Sequence, residues 1–330
     1  MPMDHDPLEQ DNGDRQRDGR VARLAARYGL ATCLAGAIGS AVISSTPIKL
    51  RPPNDLIGIP TTYTTKYEDT LLDIGLAYDV GYVEIRAANP GIDPWLPGAG
   101  KIIRVPTQQI LPNAPRRGIV INLAELRLYY YPADGGAPQS FPIGIGGEGK
   151  ETPIGHTEIA RKATHPVWIP TKSEHDEDPD LPATVGPGPD NPMGDYALYL
   201  GWKGYAIHGT NKPYSVGRRD SHGCIRMPPQ DILTLYQHVK IGTPVTVVDQ
   251  QAKVGWSGGE LFLEVHPTQD DADALESTGK PLTTGSVDAD ALVIRAAGED
   301  VQRLDWYTIH LAEMRRDGMP VQVTRPKRLY

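Results

Sequence analysis

The rhythm of apolar and polar positions changes three times along the chain. Residues 1–27 are polar and carry Arg15, Arg17, Arg20, Arg23 and Arg27, whereas no charged residue then appears until Lys49. A basic tail before the uncharged run Tyr28–Ile43 (YGLATCLAGAIGSAVI) predicts a polar, arginine-containing tail over 1–27 and a signal peptide or membrane anchor over 28–48. The run is long for a signal core and Ala/Gly-rich for a spanning helix, so cleavage after Ala41 or Ser44 and retention as an anchor both stay open. Arg51–Pro60 reads as an extended linker. In 61–106, Leu71, Ile74 and Tyr78 recur at helical spacing behind the candidate N-caps Asp69 and Thr70, and the order strand, helix, helix, strand is expected.

From Gly118 the period falls to two. GIVINLAELRLYYYP alternates up to Pro132, a turn follows at Ala133–Gly136, and Gln139–Ile145 is the expected partner strand. Thr157–Arg161, Tyr196–Leu200, Tyr205–Ile207 and Pro244–Val248 are further strand-like runs, and Pro229–Val239 is the one convincing helix among them. Thr171–Gly194 is too rich in Pro, Gly and acids for strand or helix and reads as a long loop of the kind that forms lids. Beyond residue 250 an extension runs over 251–330, in which Gln269–Glu276 reads as exposed acidic surface and Asp288–Gly318 as helical stretches without a chemical motif.

Composition narrows the picture. With 35 Gly and 31 Pro against 2 Phe, the chain is a mostly β protein rather than a helical bundle. A net charge of −8 excludes a general nucleic-acid-binding face. Two cysteines make neither a disulfide framework nor a zinc ribbon. Cys33 falls in the apolar export segment, which leaves Cys224 as an unpaired thiol in an oxidising compartment.

The chemistry concentrates in Tyr205–Met227, YAIHGTNKPYSVGRRDSHGCIRM. His222 precedes Cys224 by two positions and His208 by sixteen, and Gly209 and Gly223 permit tight backbone beside both groups. A thiol needs a base to become a nucleophile near neutrality, and histidine supplies one. A zinc site from His208, His222 and Cys224 lacks a clear fourth ligand, and a papain-like protease places its cysteine before its histidine. Lys212, Arg218, Arg219 and Arg226 gather near the thiol on an acidic chain, which suggests carboxylate recognition, with Arg226 nearest in sequence.

Ile207-His208-Gly209 followed by Ser221-His222-Gly223-Cys224-Ile225-Arg226 resembles the signature of the L,D-transpeptidases, the YkuD-type catalytic domain. The resemblance extends over 117–250 through VINLAELRLYYY, Thr152–Gly155 and GPDNPMG, while 61–106 resembles a LysM glycan-binding module, with Glu68 where that family usually has Gly. It implies a sandwich- or barrel-like β domain and a small α+β module, in a Gram-negative periplasmic branch. It further implies a nucleophile at Cys224, a proton acceptor and donor at His208, oriented by the Gly209 carbonyl, and oxyanion donors at Gly223 and Cys224. His222 would position the thiol or the substrate, and Ser221 would hydrogen-bond the loop. No metal and no cofactor is implied. The implied substrate is the stem peptide and glycan of peptidoglycan: a tetrapeptide stem loses D-Ala to a thioester, then passes to an amine of another stem or of an outer-membrane lipoprotein. A hydrolase on the same linkage and a non-catalytic wall-binding protein are the alternatives.

Overall fold

The alternating run Gly118–Pro132 is two strands, not one. Leu123–Glu125 tightens into a 3-10 turn and Leu126 adopts a left-handed φ of 57°, so β1 (Gly118–Asn122) and β2 (Arg127–Tyr131) pair antiparallel with each other. Leu123 and Leu126 are buried in the same core as the strands on either side, so the apolar pattern runs through the reversal unmarked. β3 (Gln139–Pro142) then pairs with β2, beyond the expected turn.

The computed structural model describes residues 54–280 and 287–327, all within one compact unit, Leu50–Tyr330. The tail over 1–27, the 28–48 segment with Cys33 and the final Arg328 lie outside the described residues. Among the described residues no helix is long and apolar enough to cross a membrane.

Five further strands complete one mixed sheet: β4 (Gly155–Thr164), β5 (Tyr196–Leu200), β6 (Ala206–His208), β7 (Ile225–Arg226) and β8 (Pro244–Val248). Their order is β7-β6-β5-β4-β8-β1-β2-β3, with β7–β6 and β8–β1 parallel and the other pairs antiparallel. The sheet curls until its ends meet, where Gly144 and Arg226 exchange two backbone hydrogen bonds of 2.9 Å. Ile119, Leu128, Ile159, Leu198 and Ile225 therefore share one core, closed by Ile232 and Leu235 of α4 (Pro229–His238).

The segment 61–106 holds the expected order: strand Thr61–Thr64, α1 (Leu71–Ala77), α2 (Tyr82–Ala88), strand Ile102–Val105, with its two strands paired antiparallel. Thr70 caps α1, its Oγ1 accepting from Asp73 N at 3.0 Å, while Asp69 accepts from Lys66 N instead. A buried ion pair of 2.9 Å between Glu84 of α2 and Arg127 of β2 docks this module on the sheet.

Three segments depart from expectation. The linker contains a short strand, Leu56–Ile57, paired with Gln109–Ile110. The Pro/Gly-rich loop carries α3 (Lys172–Glu177), started by a capping box in which Glu174 N donates to Thr171 Oγ1 and Thr171 N donates to Glu174 Oε2. Gln269–Glu276 is no free acidic surface but most of α5 (Gln269–Thr278), whose Ala272 and Leu275 enter the main core while buried Asp271 pairs with Arg316 at 2.6 Å. The rest of the extension is a hairpin, Ala252–Ser257 with Glu260–Val265, packed under α6 (Asp290–Ala297) and α7 (Trp306–Arg315).

Candidate active site

The parallel register of β6 and β7 sets Ile207 opposite Ile225 and His208 opposite Arg226. Side chains alternate along a strand, so Ile207 and Ile225 point into the main core and His208 and Arg226 point to the other face. Cys224, one position before β7, lies against Ala206, Ala197 and Met193 on that second face. Histidine and cysteine thus share one side of two adjoining strands.

His208 is buried, and its Nδ1–H donates to the Gly209 carbonyl at 2.6 Å, which leaves Nε2 as the basic nitrogen. Burial pushes its pKa down to about 4, the Gly209 carbonyl opposes the fall, and the Arg226 cation adds to it. Burial likewise pushes the Cys224 thiol up; a backbone contact from Ala206 lowers it, Glu174 raises it and Arg226 lowers it. Near neutrality this face therefore carries a protonated thiol at Cys224 and a neutral imidazole at His208. The backbone beside Cys224 needs glycine, and that beside His208 leaves little room for a side chain. Gly223 has φ 99°, and a Cβ there would sit 2.8 Å from the Tyr205 ring, while at Gly209 it would press within 3.3 Å of Ile232 and of the Met193 carbonyl.

Ser221 staples the turn that presents the thiol: its Oγ donates to the Cys224 carbonyl at 2.6 Å and accepts from Gly223 N at 3.1 Å. The Gly223 N–H, expected as an oxyanion donor, is therefore already engaged. His222 reaches three charged side chains. Its Nε2 lies 2.9 Å from Glu177 Oε2 and 2.9 Å from Lys150 Nζ, and its Nδ1 lies 3.7 Å from Glu174 Oε1. Lys150, Glu174 and Glu177 were not singled out by the sequence; the Thr171-x-x-Glu174 capping pattern was the one local signal that α3 would exist.

The cations divide. Arg226 Nη1 meets Asp220 Oδ1 at 2.7 Å and keeps its charge on the His208 and Cys224 face. Arg218 stacks 3.8 Å over the Tyr82 ring and pairs with Glu276, and Arg219 reaches Asp273 at 2.6 Å. Both are thus tied to α5. Lys212 is exposed in a groove of about 830 Å³ between α1 and the 211–220 loop, where Tyr214 OH donates to Asp73 Oδ1 at 3.2 Å beside Trp95. Among the described residues, the side chains that converge closely enough to share a metal ion are Glu125, Glu264 and His266, already bridged by Lys253, and Asp290, His310 and Glu313 on the extension; Cys224 is in neither group.

Residues 116–247 match the family model of the L,D-transpeptidase catalytic domain. The chain is 42% identical over 279 residues to the protein named "Probable L,D-transpeptidase ErfK/SrfK" of Salmonella typhimurium, covering 82% of this chain and 88% of that one. It is 39% identical over 286 residues to "Probable L,D-transpeptidase YbiS" of Escherichia coli K12, covering 82% and 87%. Among solved structures, the catalytic domain of the Enterococcus faecium L,D-transpeptidase aligns at 26% identity and a TM-score of 0.33, over 41% of this chain and 99% of that one. With relatives of this identity aligned along most of its length, the chain belongs to the L,D-transpeptidase family.

Proposed function

We propose that the protein acts on peptidoglycan outside the cytoplasm, exported by its 28–48 segment, and that Cys224 carries an acyl group between stem peptides. The observation that carries this reading is the shared face of Cys224 and His208, with the imidazole pinned through Nδ1 to Gly209 and held neutral by burial. A neutral imidazole protonated at Nδ1 offers Nε2 as a base, and the Cys224 thiol is the nucleophile on its face of the sheet.

In the first half-reaction His208 Nε2 takes the thiol proton and the sulfur attacks the carbonyl of the third residue of a tetrapeptide stem. The tetrahedral oxyanion is received by the Cys224 N–H, since Gly223 N donates to Ser221. Collapse expels D-Ala, whose amine takes the proton from His208, and a thioester remains. In the second half an amine attacks the thioester, His208 accepts its proton, and the thiol is restored. The acceptor is a second stem, giving a 3→3 crosslink, or a lysine of an outer-membrane lipoprotein. The 61–106 module, read as LysM, holds the glycan, with Arg226 and Lys212 as the cations that meet substrate carboxylates; Arg218 and Arg219 serve the α5 interface.

The test is intact mass of the full chain after incubation with disaccharide-tetrapeptide, beside Cys224→Ala. A thioester adduct on the native protein alone, with release of D-Ala, is expected. Tripeptide without adduct or transfer product identifies the hydrolytic alternative. Sedimentation with peptidoglycan but no adduct and no product identifies a wall-binding protein.

A further inference from the structure

The carboxylate of Glu177 is gripped at two points. Lys150 Nζ lies 2.5 Å from Oε1 and His222 Nε2 lies 2.9 Å from Oε2. An ammonium at one oxygen and an imidazole nitrogen at the other, itself 2.9 Å from that ammonium, are the elements of a carboxylate receptor. The receptor stands next to the nucleophile: His222 is two residues from Cys224, and a Cβ placed on the intervening Gly223 would lie 3.4 Å from the Lys150 carbonyl.

The occupant is held differently from the acids that pair with Arg218 and Arg219. Glu276 and Asp273, which pair with Arg218 and Arg219, sit on α5, a helix anchored in the main core. Glu177 sits on α3, which has no buried residue. Among the described residues, the side-chain ties from α3 to the rest of the protein run through Glu174 and Glu177 alone. Glu177 keeps 48% of its side-chain surface exposed and Lys150 30%, so water and solutes reach the pair. A solvent-exposed ion pair contributes little to stability, and a competing carboxylate displaces it at little cost.

We propose that Lys150 and His222 form a carboxylate-binding subsite beside Cys224, and that Glu177 occupies it in the substrate-free protein in place of a carboxylate of the stem peptide. This rests on the peptidoglycan reading above and adds the group that binds there. On the stem of the proposed substrate two such groups flank the scissile bond, the D-Ala terminus and the side-chain carboxylate of diaminopimelate. Substrate entry exchanges one for Glu177 and releases α3, and with it Glu174, whose charge holds the thiol up.

The experiment measures binding by calorimetry to the full chain carrying Cys224→Ala, with three ligands: the free tetrapeptide stem, its C-terminal D-alaninamide, and the stem amidated on diaminopimelate. One amidation is expected to weaken binding roughly tenfold or more, and which one does so identifies the carboxylate. In Lys150→Met that penalty disappears, and in Glu177→Gln the free stem binds several-fold tighter while the sensitive amide gains nothing. The subsite is overturned if neither amidation matters, if the penalty survives in Lys150→Met, or if Glu177→Gln weakens binding while thermal melting shows the fold intact. Acylation of the Cys224 protein by the same stem is read in parallel by mass. Acylation without any carboxylate effect removes the subsite alone, and a carboxylate effect without acylation removes the transferase reading alone.

Discussion

Two clusters in this protein have the same membership, one Lys, one His and two Glu, and opposite fates. At the junction of the β1–β2 turn and the C-terminal hairpin, Lys253 Nζ meets Glu125 at 2.6 Å, Glu264 at 3.0 Å and the Ile110 carbonyl at 2.6 Å, while His266 meets Glu264 at 2.6 Å. All four side chains are at most 3% exposed. Burial alone would raise the Glu264 carboxyl, but Lys253 and His266 outweigh it and hold the group below its ordinary value. At the active site Lys150, His222, Glu174 and Glu177 form the same set with 17–48% exposure. Chemistry is equal, so solvent decides: the dry cluster is a fastening and the wet one an exchangeable contact.

The largest expected effect breaks the dry cluster. Lys253→Met takes the cation from two buried carboxylates and removes three donated hydrogen bonds, to the Ile110 carbonyl, Glu125 and the Tyr129 hydroxyl, and should lower unfolding stability by about 3–5 kcal/mol in urea. Lys150→Met should cost no more than about 1 kcal/mol. Equal losses for the two lysines would show that burial does not separate the clusters.

The same contrast sharpens around the two histidines of the site, of which His208 is buried and His222 partly open. The unfolded chain takes up a proton at His208 near pH 6.5, and the folded chain does so only near 4. Between those values the unfolded state holds more protons, so this contribution to stability is complete above about pH 6.5 and is lost as pH falls toward 4. The full difference is about 3 kcal/mol, from about 2.5 pKa units at 1.36 kcal/mol each. Asp231, pushed up to about 7 mainly by burial, runs in the opposite sense, so the quantity to measure is the stability difference between the native protein and His208→Gln. It should grow in favour of the native protein from pH 4 to 6.5, and acylation should lose rate only near pH 4. A kinetic midpoint at 6.5 would mean that His208 is solvated during turnover.

How much of this the sequence disclosed follows the range of the interactions. The His208/Cys224 pair was legible because both lie within one short motif whose residue types admit few other uses. Strands β5 and β8 and helix α4 were legible from period and composition, since each buries its own apolar face. The β1–β2 reversal was hidden because Leu123 and Leu126 stay apolar through the turn. The two charge clusters were invisible for a different reason: Lys150 meets His222 across 72 positions and Lys253 meets Glu125 across 128, and surface-forming residue types carry no mark of their partners. For α5, acidity suggested a solvated face, yet Asp271, Asp273 and Glu276 each point at an arginine.

The smallest expected effect tests whether the wet cluster reaches the sulfur. Glu174 sits on α3 with 17% of its side chain exposed, faces His222 at 3.7 Å, and is the neighbouring charge that raises the thiol, against Arg226 which lowers it. Removing that charge in Glu174→Gln should shift the pH midpoint of Cys224 alkylation by iodoacetamide downward, while Glu264→Gln, the matched change in the dry cluster, should leave it in place. The direction is fixed by Coulomb's law, because a carboxylate disfavours a thiolate nearby and burial strengthens the penalty. A midpoint that stays put in Glu174→Gln, or moves upward, would separate α3 from the thiol and leave burial as the main restraint on its ionisation.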